Sequence, residues 1–292
     1  VLPNQIKVSL TSWLKESYGT EAMIISMYSV GGGSINQAVH LKTTPGDFFV
    51  KFNSRSKYPG MFGTEKRGLT QLGATKTLTV PKVEDQQETE DYSYLMLEWM
   101  ESITPNVSMW EEAGQKLAML HQHSASGFGL DYDNYIGSLN QVNTRKPDWI
   151  DFLISFRLEP LMKHAFDEKL FNRNDFSAFE KLCSRLPQLL PIEKPSLLHG
   201  DLWSGNFMVS RAGPCLIDPA IYYGHREIDI AMTRLFSGFS PAFYEAYNST
   251  FPLESGWQQR IELNQLYPLL VHVNLFGSGY TGSVRSVLRS YN

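Results

Sequence analysis

Residues 199–206 read H-G-D-L-W-S-G-N, and a second carboxylate, Asp218, closes the apolar run Cys215, Leu216, Ile217. No other stretch restricts the fold so tightly. Leu197 and Leu198 bring the chain in as a strand would, and His199-Gly200 turns it sharply. Residues 207–209 and 215–217 are apolar and flank a turn at residues 210–214, so the segment reads as a hairpin. A hairpin of that length returns Asp218 to the side of Asn206. A carboxylate at the end of a buried strand is costly unless neutralised, and a hard cation is its natural partner. The fold must therefore bring Asp201, Asn206 and Asp218 to one place.

The first hundred residues suit a sheet. Ile6, Leu10, Trp13 and Leu14 give a helix over residues 4–18 that stops at Gly19. Residues 23–30 form a strand that breaks at Gly31, Gly32, Gly33 and Ser34. Residues 38–43 and 48–52 give two more strands around the turn Pro45-Gly46-Asp47. Glycines without a Cβ let backbone N–H groups approach phosphate oxygens, although such a run also serves as a plain hairpin. Lys51 lies among Phe49, Val50 and Phe52, where it either reaches those phosphates or stands as a solvated edge residue. Residues 61–72 read as a helix carrying Glu65, a candidate partner for Lys51. Residues 78–83 and 92–97 supply a fourth and fifth strand, with the polar residues 84–91 as their exposed tip. Glu98, Trp99, Met100 and Glu101 then leave the sheet, and the backbone at Glu98 and Met100 is placed to hydrogen-bond a purine base.

From Met109 onward the pattern is helical. Ala113, Leu117 and Leu120 share a face, with His121 beside them as a core histidine. Residues 131–143, D-Y-D-N-Y-I-G-S-L-N-Q-V-N, are an irregular stretch fit either to recognise a polyol or to cap helices. Further helices are marked by Trp149, Phe152 and Phe156, ended or kinked at Pro160, and by Phe176, Phe179, Leu182 and Leu186. Residues 263–284 contain no Asp, Glu, Lys or Arg, but Asn264, Gln265, Pro268, His272 and Asn274 make them too polar for a membrane span. A net charge of −4 without a Lys/Arg block excludes an extended nucleic-acid surface or a polybasic membrane patch. Cys183 and Cys215 stand apart in apolar patterns and read as buried thiols of a reducing, cytoplasmic protein.

These parts assemble into one expectation. The five-residue step from Asp201 to Asn206 is that of a kinase catalytic loop, in which the Asp accepts a hydroxyl proton and the Asn holds Mg²⁺. With the Gly-rich loop, Lys51 and Glu65 upstream, the fold class is α+β and bilobal, protein-kinase-like. A five-stranded N-lobe over residues 1–100 precedes a mainly helical C-lobe over residues 101–292. Protein kinases place a long activation segment after the metal-binding Asp. Here residues 230–236 are already helical, so control by phosphorylation there is not expected. Asp229 is expected to brace the catalytic loop, and His225 and Glu227 to face a substrate.

The motif H-G-D-L-W-S-G-N, Asp218-Pro219-Ala220, and Y-G-H-R-E-I-D at residues 223–229 resemble the fructosamine kinase, or ketosamine-3-kinase, family. That family sits within the aminoglycoside phosphotransferase and choline kinase group. Trp203 and Asp218-Pro219-Ala220 narrow the resemblance, which runs from Gly31 to Tyr280. It implies ATP- and Mg²⁺-dependent phosphorylation of the 3-hydroxyl of ketoamines, after which the adduct decomposes and the amine is freed. It also implies Asp201 as base, Asn206 and Asp218 on the metal, Lys51 and Glu65 at the nucleotide, and Trp203 on the sugar. Several family members carry Cys where this chain has Ser34, so a redox switch there is not expected. Two alternatives remain open. One is a kinase for another hydroxylated amine, of aminoglycoside or choline type, although the second lobe has no dense acidic cluster for a polycation. The other is a non-catalytic nucleotide-binding module, which predicts a lost catalytic residue.

Overall fold

The computed structural model describes residues 2–31 and 35–291. Gly32, Gly33 and Ser34 of the expected phosphate loop lie outside the described residues. The chain divides into two compact units, Val1–Thr104 with Met208–Ile217, and Pro105–Phe207 with Asp218–Asn292. The first unit thus ends four residues later than the sequence suggests, and it takes in most of a hairpin assigned above to the second lobe.

In the first unit, α1 (Asn4–Tyr18) precedes β1 (Ile24–Val30), β2 (Gln37–Thr43), β3 (Asp47–Ser54), α2 (Met61–Ala74), β4 (Val83–Glu88) and β5 (Tyr92–Glu98). The sheet is antiparallel, in the order β1-β2-β3-β5-β4. Strand alternation sorts β3 between two cores. Phe48, Val50 and Phe52 face Ile6, Leu10 and Leu14 of α1. Phe49 packs instead with Phe62 and Leu69 of α2. Lys51 shares the parity of Phe49, so it falls on the α2 side, where Glu65 stands.

β4 departs from the expectation. Residues 78–82 are not its body; the polar V-E-D-Q-Q-E of Val83–Glu88 pairs with β5, from Val83 opposite Leu97 to Glu88 opposite Ser93. An edge strand has a free side and tolerates charge, which also protects it from pairing with other chains. Asp85 accepts the Tyr94 hydroxyl at 2.6 Å. Residues 78–82 serve the hairpin: Thr79 N–H donates to the Pro214 carbonyl at 3.0 Å and Leu216 N–H to the Thr79 carbonyl at 2.9 Å.

The second unit starts with α3 (Val107–His121), capped by the Asn106 side chain, which accepts from Met109 N–H at 3.0 Å. A short hairpin, β6 (Asn134–Ile136) and β7 (Leu139–Gln141), follows, then α4 (Trp149–Leu153), a π-helical turn (Ile154–Leu158), α5 (Glu159–Asp167) and α6 (Arg173–Leu189). β8 (Ser196–Leu198) pairs with β11 (Tyr222–Gly224), and between them the chain makes the loop and the hairpin of β9 (Phe207–Ser210) and β10 (Gly213–Leu216). α7 (Glu227–Leu235), α8 (Pro241–Thr250), α9 (Ile261–Asn264), α10 (Leu266–Phe276) and α11 (Thr281–Ser290) complete it. α3 lies close against α8, since a Cβ on Gly114 would come within 2.1 Å of the Phe243 carbonyl. α10 is far too short for a bilayer, and no described helix is long and apolar enough to cross one.

Candidate active site

The 199–206 loop is held from behind by buried groups. Asp229, at 0% exposure, accepts His199 N–H at 2.7 Å and Gly200 N–H at 3.0 Å with its two oxygens. His121 Nε2 lies 3.2 Å from the same carboxylate, and its Nδ1 lies 2.8 Å from the Tyr247 hydroxyl. Gly200 takes φ +83°, and a Cβ there would sit 2.1 Å from the Ala220 carbonyl, so the turn admits only glycine. Ala220 N–H closes the crossing on the His199 carbonyl at 2.9 Å.

Asp201 projects from this turn. Its Oδ2 and its backbone carbonyl both accept Asn206 Nδ2, at 2.9 Å each. With its amide nitrogen committed, Asn206 has its carbonyl oxygen as the group that could hold a cation. Trp203 N–H donates to Asp201 O at 3.1 Å and Asn206 N–H to Trp203 O at 3.0 Å, which winds the loop on itself. Asp218 has φ +54°, a left-handed backbone uncommon for a residue with a Cβ and typical of functional positions. Burial raises the Asp201 carboxyl to about 7, the negative charges of Asp218 and Asp229 add to the rise, and the Asn206 amide opposes it. A divalent cation fits the chemistry of this arrangement: Asp218 and the Asn206 amide supply hard oxygen donors, and a cation would offset the repulsion between the neighbouring carboxylates. Among the described residues no three His, Cys, Asp or Glu side chains form a metal cluster.

In the first unit, Lys51 Nζ donates to Glu65 Oε1 at 2.8 Å, and Lys51 is only 3% exposed. The solvated-edge alternative for Lys51 is thereby removed: β3 is the central strand. Glu98 ends β5, and its N–H already donates to the Lys82 carbonyl at 2.9 Å. Met100 follows in the connector, and between them Trp99 stacks on His40 with centroids 3.7 Å apart. A Cβ on Gly31 would meet nothing within 4 Å among the described residues.

Two expectations are corrected. His225 is at 0% exposure and Glu227 at 1%. Glu227 is bound by Arg260 Nε at 2.9 Å and by Asn264 Nδ2 at 3.0 Å. Nearness in sequence to the metal site suggested that both face substrate, but a carboxylate so enclosed is a structural anchor. Asp229 behaves as expected.

The sequence reading missed a layer beneath the loop. Residues 131–143 bury Asn134, Gln141 and Asn143. Asn134 Nδ2 donates to the Ile221 carbonyl at 2.9 Å and Gln141 Nε2 to the Ala220 carbonyl at 3.1 Å. Arg157, from the π-helical turn and at 0% exposure, donates to Asn143 Oδ1 at 2.5 Å and to Val142 O at 2.6 Å. Tyr267 hydroxyl reaches Gln141 Oε1 at 2.5 Å. This network fixes the backbone immediately after Asp218-Pro219. The density of Asn and Gln was the visible signal, and its burial was not.

The sequence profile of the fructosamine kinase family matches residues 7–291. The chain belongs to the fructosamine kinase family. An Enterococcus faecium relative assigned as a ketoamine kinase is 39% identical over 265 residues, covering 90% of this chain and 94% of that one. The chloroplastic protein-ribulosamine 3-kinase of Arabidopsis thaliana is 39% identical over 282 residues, covering 94% and 84%. The crystal structure of a Thermobifida fusca protein assigned as a fructosamine-3-kinase superposes with a TM-score of 0.87 at 32% identity, covering 97% and 98%. The aminoglycoside phosphotransferase APH(4)-Ia, in a ternary complex with AMP-PNP and hygromycin B, shares the fold at a TM-score of 0.65 and 17% identity, covering 97% and 98%. The fructosamine kinase fold is therefore the α+β, bilobal kinase fold expected from the sequence.

Proposed function

We propose that this chain transfers the γ-phosphoryl group of ATP to the 3-hydroxyl of ketoamines, the fructosamine and ribulosamine adducts that sugars form with amines. The observation that carries the reading is Asp201, hydrogen-bonded to Asn206 and raised to about 7 beside Asp218. A base with a pKa near neutrality is matched to taking a hydroxyl proton. In the step, the sugar oxygen bonds to the γ-phosphorus, the bond to the ADP oxygen breaks, and the hydroxyl proton passes to Asp201. Asn206 and Asp218 would hold Mg²⁺, which when bound neutralises phosphate charge. Lys51, kept in place by Glu65, would draw the nucleotide phosphates. Gly31, with Gly32, Gly33 and Ser34 after it, would cover them, and the carbonyl of Glu98 and the N–H of Met100 would meet the adenine. Trp203 would offer its ring to the sugar C–H face. Both cysteines are free thiols, in keeping with a reducing compartment such as the cytoplasm.

An ADP-release assay across fructosamines, ribulosamines, aminoglycosides and choline tests this reading. Turnover with the ketoamines is expected, with the phosphate on the 3-oxygen by NMR. Turnover confined to choline or an aminoglycoside would refute it.

A further inference from the structure

Outward from Trp203 runs a row of rings that the phosphoryl-transfer chemistry does not use. Trp203 meets Phe236, at the end of α7, edge-on with centroids 5.8 Å apart. Phe236 lies 5.0 Å from His272 of α10, and His272 lies 4.9 Å from Tyr280 and 5.5 Å from Phe276. The row starts two residues past Asp201 and ends at Phe276, which is 47% exposed. Four of its members are only partly covered. A core would have buried them.

Its chemistry favours a cation. Ring faces carry negative potential. His272 Nδ1 lies 2.7 Å from the Pro268 carbonyl, so Nδ1 bears the proton and Nε2 is left as an acceptor. Burial lowers the pKa of this imidazole and keeps it neutral. α10 also ends here, at Phe276, with its carbonyl dipoles pointing out and no basic residue in its last turn. Three independent features thus place negative potential along one short path.

We propose that the row from Trp203 through Phe236 and His272 to Tyr280 and Phe276 is the subsite for the amine half of the ketoamine. It takes the secondary ammonium and the alkyl chain beyond it. This rests on the ketoamine-kinase reading and adds the part of the substrate that the catalytic loop does not touch. A ketoamine joins a sugar to an ammonium through one methylene. A sugar held over Trp203 therefore presents its cation to the adjoining rings, and a lysine side chain would continue toward the exposed end at Phe276.

The test compares two fructosamines, one made on methylamine and one on the lysine side chain of a short blocked peptide. The selectivity, as a ratio of kcat/KM values, is measured for the wild-type chain, Phe276→Ala and Phe276→Lys, with melting temperatures to check folding. Phe276 is exposed, so both variants should fold. Phe276→Ala is expected to cut the ratio of peptide to methylamine adduct about fivefold, the scale of one exposed cation–π contact. Phe276→Lys should cut it further, and added salt should partly restore it. An unchanged ratio in both variants overturns the subsite while leaving the kinase reading intact. A wild-type chain that phosphorylates neither adduct overturns both.

Discussion

Replacing Asp201 with Asn should abolish turnover and stabilise the protein at the same time. In the folded chain this carboxyl is raised from 3.8 to about 7, first by burial and then by Asp218 and Asp229. At about 1.4 kcal/mol per tenfold, keeping it ionised costs about 4 kcal/mol. The side chain retains some water contact, and halving the figure for that screening leaves about 2 kcal/mol. The direction follows from linkage. Between pH 4 and 7 the folded chain holds a proton that the unfolded chain has released, so stability falls as pH rises through that window and stays low above it. Asn206 already donates to Asp201 Oδ2, and the amide oxygen of Asn can accept that bond without carrying charge. Thermal melts in chelator, which keeps a cation from masking the repulsion, should show Asp201→Asn about 5 °C more stable than wild type at pH 8. At pH 5 the gap should be less than half as large. Melting at or below the wild-type temperature at pH 8, or an equal gap at both pH values, would show that the carboxyl is not strained by its neighbours. Phosphate-transfer activity should meanwhile drop by several orders of magnitude.

Other substitutions probe the scaffold. Glu65→Ala removes the carboxylate that accepts from the buried Lys51 ammonium at 2.8 Å; about 1 kcal/mol or more of stability should be lost in urea titrations, and KM for ATP should rise about tenfold. Gly200→Ala forces a Cβ to within 2.1 Å of the Ala220 carbonyl at φ +83°, so activity should fall with a stability loss of about 2 kcal/mol or more. Arg157→Met removes a fully buried guanidinium that holds Val142 and Asn143 and lies 4.2 Å over the Tyr222 ring. A loss of about 3 kcal/mol is expected by calorimetry, and, on the proposed role of Asp218, half-maximal turnover should need more Mg²⁺ as the backbone after it loosens.

Much of this molecule is legible in its sequence because local periodicity and site chemistry agree. α1 follows from Ile6, Leu10 and Leu14, and the β9–β10 hairpin follows from two apolar runs around a turn. Lys51 and Glu65 could be paired because a kinase-type lobe sets a helix Glu against a strand Lys, and strand parity puts Lys51 on the α2 side. The failures have physical reasons. β4 was misplaced because an edge strand need not bury either face, so V-E-D-Q-Q-E carries no hydrophobic signal. His225 and Glu227 were misread because chain distance from Asp218 says nothing about which way a side chain turns. Arg157-Leu158 belongs to the family resemblance, yet the buried role of Arg157 was not legible, since its partners are carbonyls, an amide and rings rather than a carboxylate. The ring row from Trp203 was equally hidden, being drawn from four separate segments.

The hairpin Met208–Ile217 belongs to the first unit, although its residues are made after more than half of the second. On the ribosome, the sheet of the first unit can form as soon as β5 emerges, yet Thr79 must wait for Pro214 and Leu216 before its backbone is paired. Neither unit is a contiguous stretch of chain, so a fragment that stops at Thr104 would lack part of its own wall. Synthesis therefore delays completion of the first unit until residues 199–206 of the second have been made.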